Sequence, residues 1–395
     1  MKRKDFLVNS GLLTSSLFAY PNYLFTKKNT SNDIINIGVI GTGNRGKGLI
    51  KLINNISDMN VKAICDILPY QIDETLKLFN KKPKTYANHL SLLENNDLDA
   101  VIISTPINSH SKISIDCVQA GKHVYCEKLM AKGFDATVNL VKAVKDSKIT
   151  FQTGHQYHSS RLYTNVVDLI KNGKIGNVIA FESQWNRNRS WRRPVKDPNL
   201  ERQINWRLYR DYSFGLLAEL SAHQIDFVNW VLEDNPIKVV GFGGIDFYKD
   251  GREVYDNIKV IYEYMGGVKA SYTCLSNNAK DGYKISIKGD LGSIDIYKDE
   301  AWFYSNLDEP QIGEVDGVSG ATKSWLGSSK GQKLNFKHLT PTEQALIDFK
   351  NSIKDNKEPL SNVFTGADVS YAVEMGIKAM DSGNVVRWDS KKYVN

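Results

Sequence analysis

Residues 35–46, Ile-Asn-Ile-Gly-Val-Ile-Gly-Thr-Gly-Asn-Arg-Gly, restrict the fold more than any other stretch, because they spell a strand, a tight turn and a helix start in that order. Residues 35–40 are mostly apolar and β-branched, as a buried parallel strand requires. Gly41, Gly43 and Gly46 then fit G-x-G-x-x-G. The first permits the turn, the second lets the backbone approach a pyrophosphate, and the third lets helix pack on strand. Leu49, Ile50, Leu52 and Ile53 continue at helical spacing, so phosphates would meet free N–H groups at a helix N-terminus whose first residues are Asn44 and Arg45. A second strand over 61–65 ends in Asp66, about twenty residues after the last glycine, where an acid can bind both hydroxyls of an adenosine ribose. Asp66 favours NAD over NADP, since a carboxylate repels a 2′-phosphate and Ile67 and Leu68 supply no cation to bind one. The competing reading of Asp66 is a solvated loop acid.

A chain of 395 residues is too long for one ordinary core, so two domains are expected. Its 41% hydrophobic and 24% charged content are those of a globular soluble protein. The formal net charge of +7 is modest and no long Lys/Arg block occurs, which argues against a nucleic-acid stripe. Cys65, Cys117, Cys126 and Cys274 show no C-x-x-C pairing, so buried thiols are expected and a metal site is not. The N-terminus is basic at Lys2, Arg3 and Lys4, then carries a short apolar run at Leu12, Leu13, Leu17 and Phe18, too short to span a bilayer. Residues 1–31 read as a leader of degenerate twin-arginine type, which implies export or a periplasmic location; the alternative is a cytoplasmic chain with a decayed leader.

Strand and helix patterns alternate after Asp66: helix 71–80, strand 98–104, helix 109–120, strand 123–126, helix 134–145 and strand 149–152. That alternation predicts an α/β chain with a Rossmann-type, doubly wound parallel sheet over 32–154. The remainder, 155–395, reads as a second α/β domain. It has helices at 161–171 and 216–232, then strands at 178–185, 237–247, 257–264, 268–275, 283–288 and 293–297. Turns such as Met265-Gly266-Gly267 imply a mainly antiparallel sheet. Residues 306–333 have little periodicity and are expected to form a long loop. Helices at 341–353 and 365–382 close the chain.

Ligands of a doubly wound sheet bind beyond the carboxyl ends of its strands. Thr105, Pro106 and His110 follow one such end, and Glu127 and Lys128 follow another. Lys128 could donate to a substrate hydroxyl; position alone equally allows a surface lysine paired with Glu127. On the helix over 216–232, Glu219 and His223 are four apart and share one face, with Asp226 a turn further on. His223 suits a base that removes a hydroxyl proton, with Glu219 orienting it or binding another hydroxyl; the alternative is a salt-bridged, packed histidine. Trp185, Arg187, Trp191, Trp206 and Arg207 offer aromatic faces and forked donors for sugars, hydroxyls or carboxylates.

These motifs in this order resemble the Gfo/Idh/MocA oxidoreductases, over about residues 34–389. The parts that carry the likeness are the glycine turn, Thr105-Pro106 with His110, Gly121-Lys122-His123-Val124 with Glu127-Lys128, and Glu219 with His223-Gln224-Ile225-Asp226. The resemblance implies a Rossmann domain followed by an α/β domain whose open, mainly antiparallel sheet often serves as an oligomer interface. It assigns Lys128, His223 and Glu219 to catalysis and Glu127 to the nicotinamide side. Two departures stand out. Leu129 replaces the proline after the lysine, which argues against a cis bond there, and Glu219 replaces an aspartate. Three functions follow as expectations: NAD-dependent oxidation of a hydroxyl on a sugar, glycoside or cyclitol; NAD-dependent glycoside cleavage by oxidation and elimination with a recycled cofactor; or a dinucleotide-binding sensor without turnover.

Overall fold

The computed structural model describes residues 34–306, 311–314, 323–327 and 331–389; the leader-like segment expected at 1–31 lies outside the described residues. The glycine-led half contains strands β1 (Ile35–Ile40), β2 (Met59–Cys65), β3 (Lys84–Tyr86), β4 (Ala100–Ile103), β5 (His123–Cys126) and β6 (Phe151–Thr153). They form a parallel sheet in the order β3-β2-β1-β4-β5-β6. The crossovers are helices α1 (Asn44–Ile53), α2 (Pro69–Leu76), α3 (His89–Leu93), α4 (Ile107–Gln119) and α5 (Phe134–Lys145). Side chains alternate across the sheet. Ile37, Val39, Ala100, Ile102 and Tyr125 enter the core beneath α1, whereas Ile40, Val101, Ile103, Val124 and Cys126 enter the core beneath α4 and α5. The chain reverses its direction of travel across the sheet between β1 and β4, which opens a crevice at their carboxyl ends.

The second half begins with α6 (Arg161–Lys171), β7 (Val178–Asn188), α7 (Glu201–Ile204) and α8 (Ala222–Leu232). Strands β8 (Lys238–Gly244), β9 (Asn257–Glu263), β10 (Lys269–Leu275), β11 (Asn277–Gly289), β12 (Gly292–Tyr297) and β13 (Glu300–Ser305) follow. Next come β14 (Gln311–Glu314), β15 (Lys323–Gly327), β16 (Gln332–Leu334), α9 (Pro341–Asp355), α10 (Val363–Ser382) and β17 (Val386–Arg387). The large sheet runs β16-β13-β12-β11-β7-β10-β9-β8-β17. Among the described residues, only the β7–β10 pairing in it is parallel. Alternate strand residues, among them Val260, Tyr272, Ile285 and Ile294, meet Val166, Phe227, Val228, Val369 and Ala372 of α6, α8 and α10. Helix α9 returns to the first sheet. Ala345, Leu346 and Phe349 pack with Ile37, Leu49 and Tyr125, so the cofactor half is completed by residues from the far end of the chain.

Two expectations change. The segment 306–333 is not one long loop: β14 and β15 pair antiparallel, and β16 joins the large sheet against β13. Short strands with Gly and Ser carry too little periodicity to be seen, and pairing of the backbone supplies their order. The helix over 216–232 is not uniform either. Residues Leu217–Ser221 are wound as a π-helix before α8 begins.

The glycine turn predicts its own mutational signature. Gly41 has φ +89°, and a Cβ on Gly46 would lie 2.0 Å from the Gly41 carbonyl oxygen. A Cβ on Gly43 meets nothing within 4 Å, on a backbone at φ −64° that any residue adopts. Gly46→Ala is therefore expected to destabilise the fold by about 1–3 kcal/mol as overpacking does, and Gly43→Ala by less than about 0.5 kcal/mol. Urea unfolding of both variants checks the contrast.

Candidate active site

Strand β1 turns at Gly41, whose N–H donates to the Cys65 carbonyl at 2.8 Å, while the Ser104 hydroxyl donates to the Gly41 carbonyl at 2.7 Å. These bonds fix the ends of β1, β2 and β4 around a cavity of about 510 Å³ lined by Gly41, Gly43, Asp66, Leu68, Thr105 and Pro106, among others. Asp66 is no solvated loop acid. Its carboxylate accepts from the Thr42 N–H at 2.7 Å, the Thr42 hydroxyl at 3.1 Å and the Leu68 N–H at 2.9 Å. Space at Gly43, an anchored acid at the cavity edge and exposed α1 N–H groups fit a dinucleotide's pyrophosphate and ribose.

Ser104 and Thr105 also line a second cavity of about 640 Å³, shared with Glu127, Lys128, Trp185, Glu219 and His223. Arg45, from the glycine turn, donates through Nε to Glu127 at 2.7 Å, so Glu127 pairs with Arg45 and not with Lys128. His110 is buried, and its ring nitrogens face the Leu129 and Thr105 carbonyl oxygens at 2.6 and 2.8 Å. Burial lowers its pKa, and a neutral imidazole carries one N–H, so His110 donates to one of the two carbonyls while packing between the ends of β4 and β5 as a positioning residue. The Lys128–Leu129 peptide bond is cis, contrary to the expectation from the loss of proline. The Leu129 side chain is fully buried and its carbonyl oxygen faces His110, so the site holds this residue from both ends.

Lys128 Nζ donates to the Ala218 carbonyl at 2.9 Å and the Glu219 carbonyl at 2.8 Å, both in the π-helical turn. An ammonium has three donors, so one remains for a ligand. Burial lowers the Lys128 pKa, and Glu219 and Glu127 pull it only part of the way back. Glu219 does not orient His223, as its sequence position suggested. Its carboxylate accepts from Arg207 Nε and the Ser213 hydroxyl, each at 2.9 Å. Burial would raise the Glu219 pKa, but Arg207 and Lys128 outweigh it and hold the acid below its ordinary value.

His223 is buried among rings: Tyr157 at 5.2 Å, His155 at 5.9 Å and Trp185 at 6.1 Å between centroids. Its Nδ1 has no hydrogen-bond partner among the described residues. Burial, then Lys128, His155 and Arg45, push its pKa well below 6.5, so it stands neutral and able to accept a proton. Asp226 faces away, in a buried pair with His158 at 3.0 Å. The sequence reading missed His155 and His158. They follow β6 on a short 3₁₀ turn, and only the folded chain brings them beneath α8.

The residues of the Trp/Arg segment come together in space. Trp185, Arg187, Trp191, Trp206 and Arg207 all line the second cavity, with Arg187 over the Trp191 ring at 5.5 Å and Arg207 over Trp206 at 4.1 Å. Among the described residues, no group of three or more His, Cys, Asp or Glu could hold a metal ion.

Comparison with known proteins agrees with this construction. One family model, "Oxidoreductase family, NAD-binding Rossmann fold", matches residues 35–155, and its companion, "Oxidoreductase family, C-terminal alpha/beta domain", matches 167–387. The chain belongs to the Gfo/Idh/MocA oxidoreductase family. An oxidoreductase of Formosa agariphila is 26% identical over 273 residues, 66% of this chain and 78% of that protein. A glycosyl hydrolase family 109 protein of Shewanella pealeana is 26% identical over 185 residues, 45% of this chain but only 40% of its own length. The solved structure of levoglucosan dehydrogenase in complex with NADH and levoglucosan superposes with a TM-score of 0.73. It covers 89% of this chain and 99% of that one at 19% identity, a likeness of fold. The first cavity of this Gfo/Idh/MocA oxidoreductase is thus the crevice of an NAD-binding Rossmann domain.

Two measurements follow from the site of this family member. Asp66→Ala should weaken NAD binding by about ten- to a hundredfold, the loss expected for hydrogen bonds to a charged group, with little change in turnover at saturation. Calorimetry and kinetics together check it. If His223 accepts the substrate proton, its depressed pKa keeps it competent as pH falls. The acid limb of the oxidation rate should therefore centre below the ordinary histidine value of 6.5; a limb centred at or above 6.5 would contradict that role.

Proposed function

We propose that this chain is an NAD-dependent dehydrogenase that oxidises a hydroxyl of a sugar, glycoside or cyclitol. The observation that carries this reading is the meeting of Lys128 and a neutral His223 in one cavity that continues from the dinucleotide crevice through Ser104 and Thr105. Bound NAD supplies the two-electron acceptor for the hydrogen on the carbinol carbon. His223 takes the hydroxyl proton as the carbonyl forms. Lys128, held by the Ala218 and Glu219 carbonyls, directs its remaining N–H at the same oxygen and stabilises its developing negative charge. Glu219 and Arg207 hold each other and present polar edges to the neighbouring hydroxyls, and the Trp185 and Trp206 rings offer faces to the sugar's C–H surface.

A second reading, NAD-dependent glycoside cleavage with a recycled cofactor, uses the same base and donor. Oxidation of one ring carbon would acidify its neighbour, loss of that proton would expel the leaving group, water would add to the resulting double bond, and return of the hydride to the carbonyl would restore the oxidised cofactor. The similarity to a protein named for glycosyl hydrolase family 109 favours keeping it in view. Sugar release without net NADH separates the two outcomes.

Lys128→Ala and His223→Ala should each lower turnover by about two to four orders of magnitude, the usual weight of positioned proton transfer. NAD affinity should change little, since neither residue lines the dinucleotide crevice. A panel of sugars and cyclitols followed at the NADH absorbance gives the measurement. NAD binding with no turnover on any of them would favour a non-enzymatic sensor instead.

A further inference from the structure

The reaction cavity has an excess of positive charge beyond its two acids. Its lining carboxylates, Glu127 and Glu219, are already engaged by Arg45 and Arg207. Arg192 is likewise held by Glu201 and by Asp250 at 3.2 Å. Arg187 and Arg189 line the same cavity, yet neither forms an ion pair among the described residues. Their placement follows from the strand. Trp185 and Arg187 on β7 and Arg189 just beyond it alternate with Asn186 and Asn188, so all three share one face. Neither arginine lines the dinucleotide crevice, whereas Arg193 lines both cavities. The cofactor's phosphates therefore do not account for this pair.

Spacing connects the pair to the chemistry. The Trp185 ring lies 6.1 Å from that of His223, and each step of two residues along a strand advances about 7 Å. Arg187 and Arg189 thus lie about 7 and 14 Å further along the chain than Trp185, on the side where it becomes exposed at Arg189. Guanidinium groups bind carboxylate, sulfate and phosphate through paired N–H donors. Burial and then the neighbouring Arg189 and Arg207 charges lower the Arg187 pKa, as expected for like charges gathered without a counter-ion.

We propose that the substrate is an anionic sugar, one bearing a carboxylate, sulfate or phosphate, and that Arg187 and Arg189 bind this group while a hydroxyl of the same sugar faces Lys128 and His223. The proposal rests on the sugar-hydroxyl reading above and narrows its substrate class.

The test compares glucose with glucuronate, a sulfated glucose and glucose 6-phosphate at one ionic strength, using the full chain loaded with NAD. At least one anionic sugar should exceed glucose by about ten- to a hundredfold in kcat/KM, mostly through KM, and the panel shows which oxyanion fits. Arg187→Gln and Arg189→Gln should each remove most of that preference while leaving NAD affinity unchanged. Should a variant not fold, the intact protein still decides, because KM for an anionic sugar should rise with salt while that for a neutral sugar stays level. Equal use of neutral and anionic sugars, or variants that weaken NAD and spare sugar selectivity, would overturn the proposal. If no sugar is oxidised, the dehydrogenase reading fails, and calorimetry on the NAD-loaded chain judges the anion site separately. Anionic-sugar binding that disappears in the variants upholds the site, and no binding removes it.

Discussion

The hydrogen bonds from Lys128 to the Ala218 and Glu219 carbonyls hold this site together. Lys128 follows the end of β5 in the cofactor half, whereas the two carbonyls belong to the helical turn that leads into α8 in the other half. That turn, Leu217–Ser221, is wound as a π-helix, a rare form that recurs at functional sites. One ammonium thus fixes the distance between the strand end and the helix that carries His223. In the proposed reaction, the same contact leaves one Lys128 donor for the substrate oxygen whose proton His223 takes.

Charge is arranged around that contact in closed pairs. Arg45 with Glu127 and Arg207 with Glu219 place two neutralised pairs beside Lys128. Each acid gains a fixed orientation from its arginine, and the lysine lies between two carboxylates that partly offset the cost of burying it. His223 has no such acid: burial and neighbouring cations keep it unprotonated. The asymmetry between a lysine near acids and a histidine near cations divides donor from acceptor in one cavity.

Much of this was legible in the sequence because it is local. The strand, glycine turn and helix of residues 35–53 are written in consecutive residues, and the structure reproduces them, including the left-handed Gly41 and the close approach at Gly46. Helices at Phe134–Lys145 and Arg161–Lys171 and the strand at His123–Cys126 fall on the boundaries that periodicity suggests. What could not be read depends on residues far apart in the chain. Glu219 and His223 are four apart, yet their side chains take different partners, because Arg207 and Ser213 draw the acid one way and a cluster of rings surrounds the histidine. The cis Lys128–Leu129 bond has no proline to announce it. Completion of the first core by Phe349 likewise has no local signal.

A double-mutant cycle between Lys128 and His223, read as turnover on the best sugar substrate, tests the central claim most directly. If the ammonium and the imidazole act on one oxygen as a unit, Lys128→Ala combined with His223→Ala should cost little more than the larger single loss. A combined loss equal to the product of the two single losses would mean that the residues act independently, and would contradict the account.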